Sequence, residues 1–464
     1  MTATEGNIKT KPDWVDRLKA HLPERPLAFV VATFIGLTIG TMAALLKQSV
    51  AWISRLVISG TVASTYNLIF IALPIIGLLL TVAVCRFWFR RNLSHGVRQM
   101  QQQLRRGDAR LPADGIYAPF VASSLTLGFG GSAGSEGPIA CIGSALGSNL
   151  ARWLRLPPHL MTLLLGVGAA AGIAGIFKAP LGGALFTIEV LGIGLSTLGV
   201  LLVVTASLVA GITAFLLGGN QVDVVMTGNA GFDLSLTGWV VLLGLACGLY
   251  SLYYSFIMKT IEHWLRLMRS PWVKAVIAGL LLGCLIFVFP ALYGEGYQTL
   301  GRIINGDYAG LMAYGPFADM AADRWVLIVI ALCTLMTKCF ATSLTNSGGG
   351  VSGDFAPTLF AGVIAGLLFA EFLNACFGLS LPVPLFAYLG LAGVMAGAIR
   401  APLMAIFLIT EMTGSFNLIL PVTLTAALSF FVVRLYTSDG FYDFRIDRPN
   451  GPASRAIRKR EGNP

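Results

Sequence analysis

A chain of 464 residues, 56% of them hydrophobic and only 12% charged, with a mean hydropathy of +0.77, lies well outside the range of soluble globular domains. Lipid is the solvent that this composition fits. The formal charge of +10 does not point to nucleic acid, because the basic residues sit in tails and loops beside apolar spans, where they meet the anionic headgroups of membrane lipid.

In chain order, residues 1–26 are charged and proline-bearing. They lack the short apolar run and small-residue cleavage pattern of a secretory signal, so the mature chain is expected to begin near Met1. Apolar stretches of spanning length, some short or broken, follow at 27–46, 68–87, 158–177, 193–217, 236–258, 275–292, 325–337, 355–378, 383–399 and 416–434. Lys9, Lys11, Arg17, Lys19 and Arg25 precede the first of these, and Arg445, Arg448, Arg455, Arg458, Lys459 and Arg460 follow the last. The bias of Lys and Arg toward cytoplasmic loops therefore predicts that both termini are cytoplasmic. The 259–274 connection (Lys259, Arg266, Arg269, Lys274) reads as inside, whereas 216–236, with Asp223 and Asp233 but no Lys or Arg, reads as outside. The seven cysteines lie in or beside apolar segments without metal-ligand spacing, which predicts packing rather than a metal site.

A repeat emerges from the same pass. Gly175-Ile176-Phe177-Lys178-Ala179-Pro180-Leu181, followed by Glu189 and Gly192, recurs as Gly397-Ala398-Ile399-Arg400-Ala401-Pro402-Leu403, followed by Glu411 and Gly414, at a constant offset of 222. Upstream, Gly134-Ser135-Glu136-Gly137-Pro138 matches Gly353-Asp354-Phe355-Ala356-Pro357 at an offset of 219. The chain is thus divided into a cytoplasmic tail (1–26), a first transmembrane repeat (27–218), an external linker (219–235), a second repeat (236–445) and a cytoplasmic tail (446–464). Duplicated halves of this kind, often inverted, build many transporters.

Proline removes a backbone donor and disfavours helix in the residue before it, so the Ala-Pro-Leu elements predict helices broken at membrane depth. Such breaks persist only where backbone is buried or lines a wet cavity, and each helix start presents unpaired N–H groups that favour an anion. In the run from Gly128 to Pro138 the glycines permit tight turns and close approach to a ligand, and Pro138 is expected to start a helix over 138–153. A carboxylate at Glu136 would occupy the field that attracts a dissolved anion, so it can compete with that anion. Helix capping is the ordinary alternative, but an ionisable group in a membrane span is a functional candidate. Glu189 and Glu411, matched by the repeat, read as scaffold residues. Lys178 and Arg400 read as interfacial.

These three motifs, in this order, resemble those of the CLC family of chloride channels and proton-coupled chloride exchangers over about residues 27–445, in the short prokaryotic form without CBS domains. The resemblance implies an all-α polytopic membrane protein of two inverted helical repeats with many tilted and broken helices, assembled as a homodimer with one pore per subunit and set in the bacterial inner (plasma) membrane. It implies that Glu136, in the family's G-[K/R]-E-G-P element with Ser135 in place of the basic residue, is the gate. It implies that the backbone N–H groups of Asp354 and Phe355 bind the central anion, and that Gly440-Phe441-Tyr442 supplies a hydroxyl from Tyr442, ahead of Tyr436. The best match to the G-S-G-I-P element is Ser94-His95-Gly96-Val97-Arg98, which places His95 where the anion-binding serine is expected, beside Gly96.

An imidazole donates but also titrates, so nitrate and fluoride stand beside chloride as candidate ions. Bound chloride ions are the only ligands implied, with no cofactor and no metal. Family exchangers carry an internal proton-transfer glutamate where this chain has Val190. Valine cannot relay a proton, a pattern that resembles the channel branch, although some exchangers also lack that acid. A proton-coupled antiporter therefore stays as the alternative. An intramembrane enzyme is disfavoured, for the chain has no His-Glu-x-x-His, no paired intramembrane aspartates and no nucleophile–histidine arrangement.

Overall fold

The computed structural model describes residues 23–59, 68–90, 93, 96–105, 109–194, 196–219, 232–312, 316–317, 320 and 323–437. His95 and Tyr442 lie outside these residues, as do most of both tails and the centre of the external linker. Among the described residues the chain forms sixteen α-helices. The first half contains α1 (Glu24–Ser59), α2 (Ile69–Ala83), α3 (Gly96–Arg105), α4 (Ala118–Gly128), α5 (Glu136–Trp153), α6 (Pro158–Phe177), α7 (Pro180–Glu189) and α8 (Thr197–Gly218). The second contains α9 (Thr237–Arg266), α10 (Pro271–Val288), α11 (Tyr297–Ile304), α12 (Arg324–Ser347), α13 (Phe355–Phe377), α14 (Val383–Ile399), α15 (Pro402–Thr413) and α16 (Ile419–Tyr436). Among the described residues nine helical segments are long and apolar enough to cross a bilayer, and α4, α14 and α15 are shorter apolar helices.

The repeat is visible in the backbone. Lys178 ends α6 in the left-handed region at φ 56°, ψ 35°, and Arg400 ends α14 there at φ 64°, ψ 39°. Proline then pushes the residue before it out of the helical region: Ala179 adopts φ −124°, ψ 85° and Ala401 φ −130°, ψ 75°. Lys178 Nζ donates to the carbonyl of Gly219 at 3.0 Å, and an Arg400 guanidinium nitrogen donates to Thr437 Oγ1 at 2.7 Å. Gly219 and Thr437 follow the last turns of α8 and α16, so each cation faces a helix C-terminus of its own repeat, where the helix dipole favours it.

Packing follows the same two-fold plan. In the first half α1 packs on α8 and α5 on α6; in the second α9 packs on α16 and α13 on α14. Helices α5 and α6 come together backbone to backbone: a Cβ on Gly143 would stand 2.0 Å from the Gly168 carbonyl oxygen, and one on Gly362 of α13 would stand 2.4 Å from that of Gly390. Small residues let membrane helices approach this closely, and the spacing Gly143/Gly147 recurs as Gly362/Gly366. Across the halves, α2 packs on α10 and α7 on α15.

Gly134 and Gly353 form an antiparallel bridge, Gly134 N–H to Gly353 O at 2.9 Å and Gly353 N–H to Gly134 O at 2.6 Å. A reciprocal exchange between equivalent residues is what a two-fold axis produces. Helices α5 and α13 each start two residues beyond that axis and run away from it in opposite senses, which is the inverted-repeat architecture.

Three details depart from the sequence reading. Helix α5 begins at Glu136 rather than Pro138, because the first-turn N–H groups have no intrahelical acceptor and proline is tolerated there. The stretch read as 325–337 is part of α12, which continues to Ser347 through a buried Lys338. The amphipathic helices α3 and α11 carry too little apolar sequence to register as spans.

Candidate anion site and gate

Glycine shapes the turn ahead of α5. Gly130 has φ +94°, and the chain then folds so that Gly134 pairs with Gly353. The starts of α5 and α13 therefore converge on one point, each with backbone N–H groups free of intrahelical acceptors and a partial positive charge.

Neither helix caps itself with the side chain at its N-cap position. Ser135 instead turns outward, donating its N–H at 2.9 Å and its hydroxyl at 2.6 Å to Glu295 Oε1. Asp354 turns aside in the same way: its Oδ1 accepts from Asn346 Nδ2 at 2.6 Å, and Asn346 Oδ1 accepts from the Ser352 hydroxyl. The N–H groups of Asp354 and Phe355 are thereby not covered by the Asp354 carboxylate. The Phe355 ring is buried against Phe186 of α7, with centroids 5.8 Å apart.

Glu136 is fully buried. Its Oε1 accepts from the Tyr297 hydroxyl, and its Oε2 has no hydrogen-bond partner. That second oxygen lies over the glycine bridge, 1.8 Å from where a Gly134 Cβ would be and 3.4 Å from where a Gly353 Cβ would be. Only glycine at 134 leaves room for it. A buried carboxylate oxygen without a donor is costly, and what offsets it here is charge: the two helix starts and nearby cations. Lys47 Nζ sits 5.3 Å from the Tyr297 ring centroid, and Lys338 Nζ, wholly buried, donates to Ser132 Oγ at 2.9 Å. Glu295 adds a second acid at the outer edge of the group.

On the opposite side of α5, a cavity lined in part by Leu93, Gly96, Met100, Gly137, Pro138 and Ser352 joins the start of α3 to the base of the glutamate turn. Gly96 is held close to α5, since a Cβ there would be 2.7 Å from Cys141 Sγ. The structure thus brings Gly96, Gly134, Ser135, Glu136, Gly137, Pro138, Gly353, Asp354, Phe355 and Pro357 into one region.

Glu189 stands elsewhere. Its carboxylate accepts from the N–H groups of Leu403 (3.1 Å) and Met404 (2.7 Å) at the start of α15, while Glu411 accepts from Leu181 (3.0 Å) and Gly182 (2.9 Å) at the start of α7. Each acid caps the other repeat's helix. The neighbouring Val190 is buried, and its carbonyl accepts from Gln101 Nε2 at 2.5 Å.

Sequence reasoning passed over Tyr297, Glu295, Lys47 and Lys338. A signal existed for Lys338, a lone cation inside an apolar run, and for the Gly294-Glu295-Gly296 turn, whose glycines have φ +66° and +84°. Nothing in the sequence shows that this turn lands on a glutamate about 160 positions earlier.

A family profile described as voltage gated chloride channel matches residues 76–434. The chain is 32% identical to a ClcB-like chloride channel protein of Ralstonia nicotianae over 73% of its own length and 75% of that protein's. It is 26% identical to the H+/Cl− exchange transporter ClcA of Vibrio cholerae over 71% and 68%, and 28% identical to the voltage-gated ClC-type chloride channel ClcB of Salmonella typhimurium over 69% and 73%. Among solved structures, a slow cyanobacterial Cl−/H+ antiporter superposes with a TM-score of 0.77 at 23% identity, covering 91% of this chain and 97% of that one. A CLC-type fluoride/proton antiporter superposes with a TM-score of 0.71 at 23% identity, covering 93% and 99%.

Proposed function

Since the chain belongs to the voltage gated chloride channel (CLC) family of anion-transporting membrane proteins, we propose that it moves chloride along a pathway closed by Glu136. One observation carries this reading: the Glu136 carboxylate lies across the bridge where two helix starts meet, filling with its own negative charge a space whose field suits an anion.

The cycle follows from that position. With Glu136 ionised and held by Tyr297, the carboxylate occupies the anion's place. An arriving chloride competes with it for the same field, and a proton on Glu136 removes its charge, so the side chain leaves and an ion enters. The backbone N–H groups of Asp354 and Phe355 then serve the ion at the next position, beside Gly96, and the motifs that carry the family resemblance add His95 and Tyr442 as candidate ligands. Flux is expected to rise as pH falls, because protonation favours the displaced side chain.

A passive, voltage-gated type of channel is the favoured mode, since Val190 offers no acid for proton transfer on the inner side. A proton-coupled antiporter is the second reading, favoured by the burial of Glu136 in a path that a proton must also reach. Purified protein in liposomes under a chloride gradient decides between them. Uphill proton movement driven by chloride would overturn the channel mode; chloride flux above carrier rates without a proton signal would overturn the antiporter. A His95→Ser variant tests ion choice: an unchanged ranking of chloride, nitrate and fluoride would remove His95 from the site. We further propose a homodimer in the bacterial inner membrane with both termini cytoplasmic. Light scattering in detergent and protease accessibility of oriented vesicles test these points.

A further inference from the structure

We propose that Lys338 is the fixed cation of the anion pathway, the residue whose charge lets Glu136 and a chloride ion replace one another in the same place. This rests on the reading of Glu136 as the occupant of the anion's position, and it adds a determinant of affinity to that site.

Lys338 lies in α12, fully buried. Its ammonium donates to Ser132 Oγ at 2.9 Å and stands 4.6 Å from the centroid of the Phe360 ring. Ser132 belongs to the glycine-rich turn that leads to Glu136, and Phe360 to α13, so the ammonium sits between the two elements that frame the gate. Among the described residues no ion pair joins it to a carboxylate; the acids of this region are Glu136, four residues beyond Ser132, and Glu295, which accepts from Ser135. Lys47, over the ring of the Tyr297 that donates to Glu136, is the further cation of the region.

A buried ammonium hydrogen-bonded only to a neutral hydroxyl is costly unless an opposite charge stays near it. Glu136 supplies that charge while it lies over the glycine bridge. When Glu136 is neutralised or displaced, the region carries an uncompensated positive charge, and a small anion is the species that restores balance. The Ser132 hydroxyl accepts from Lys338 and so points its own proton elsewhere, polarised by the lysine into a better donor. An ammonium behind a hydroxyl donor is a suitable arrangement for a halide, and the charge of the ammonium favours an ionised Glu136 and a chloride alike. A purely structural lysine would prop the turn through the same hydrogen bond without caring which ion is present, and this difference can be measured.

The experiment is calorimetric chloride titration of purified protein in detergent for the wild type, Glu136→Gln, Glu136→Gln/Lys338→Met and Glu136→Gln/Lys338→Arg. The double variant removes a positive and a negative charge together, which avoids stranding Glu136. Where methionine prevents folding, Lys338→Gln, neutral but still able to donate to Ser132, takes its place. The Glu136→Gln protein is expected to bind chloride at least as tightly as the wild type. Adding Lys338→Met should weaken binding by at least about tenfold, the scale of losing one charge-assisted interaction, and arginine should recover most of that loss. Equal affinity in Glu136→Gln and Glu136→Gln/Lys338→Met would overturn the proposal while leaving the gate intact. Weaker binding in Glu136→Gln alone would instead overturn the gate reading on which it rests.

Discussion

The two glycine turns that open α5 and α13 share a backbone and divide the chemistry. Glu136 and Phe355 occupy equivalent places, 219 positions apart, each at the first residue of its helix. In the first turn the acid folds back over the Gly134–Gly353 bridge. In the second, an aromatic ring packs into the core, and the nearby Asp354 carboxylate is drawn off by Asn346. Duplication therefore supplied two convergent helix starts, and a difference in one residue type makes one of them the proposed gate and the other the proposed binding end. Elsewhere the halves have stayed alike, as the crossed caps of Glu189 and Glu411 show.

If this division is right, perturbing the symmetric features should cost both halves equally, and perturbing the asymmetric ones should not. The largest effect is expected at the helix crossings. Gly143→Val and Gly362→Val each drive a side chain into a carbonyl oxygen, and each should reduce folded protein on size-exclusion chromatography to near nothing, since overpacking against backbone costs about 1–3 kcal/mol or more. Next come Glu189→Gln and Glu411→Gln. Each weakens two charge-assisted bonds to helix N–H groups and is expected to lower thermal stability in detergent by about 2 kcal/mol, by similar amounts in the two variants. A large difference between them would break the symmetry argument.

Smaller and one-sided is Tyr297→Phe, which removes the hydroxyl that holds Glu136. Loss of one hydrogen bond worth about 1 kcal/mol should favour the displaced side chain roughly fivefold, and flux at a given pH should rise accordingly, with stability little changed. Glu295→Gln is the mildest. It keeps acceptors for Ser135 but removes an acid near the gate, so ionised Glu136 is held more firmly, and the rise in flux is expected at slightly lower pH.

Much of this was legible in the residues before any coordinates. The constant offsets, the Ala-Pro breaks and the lone acid among glycines follow from local rules about proline, glycine and charge in lipid, and the helices at 158–177 and 383–399 have the bounds their apolar runs predict. What was not legible is long-range. Tyr297 and Ser132 meet their partners only because the second repeat is folded against the first, and Lys338 looked like the end of a span because hydropathy reads a charge as a boundary. Inside the protein its ammonium meets Ser132, contributed by the other half. The start of α5 was misplaced for a local reason, since proline is tolerated anywhere in a helix's first turn.

The central claim is that the Glu136 carboxylate itself closes the pathway. Chloride flux from liposomes, measured from pH 7.5 to pH 4.5 for the wild type and for Glu136→Gln, tests it most directly. The wild type should conduct more as pH falls, and the glutamine variant, permanently without charge at that position, should show high flux with no pH dependence. A glutamine variant that keeps the wild-type pH profile would contradict the account.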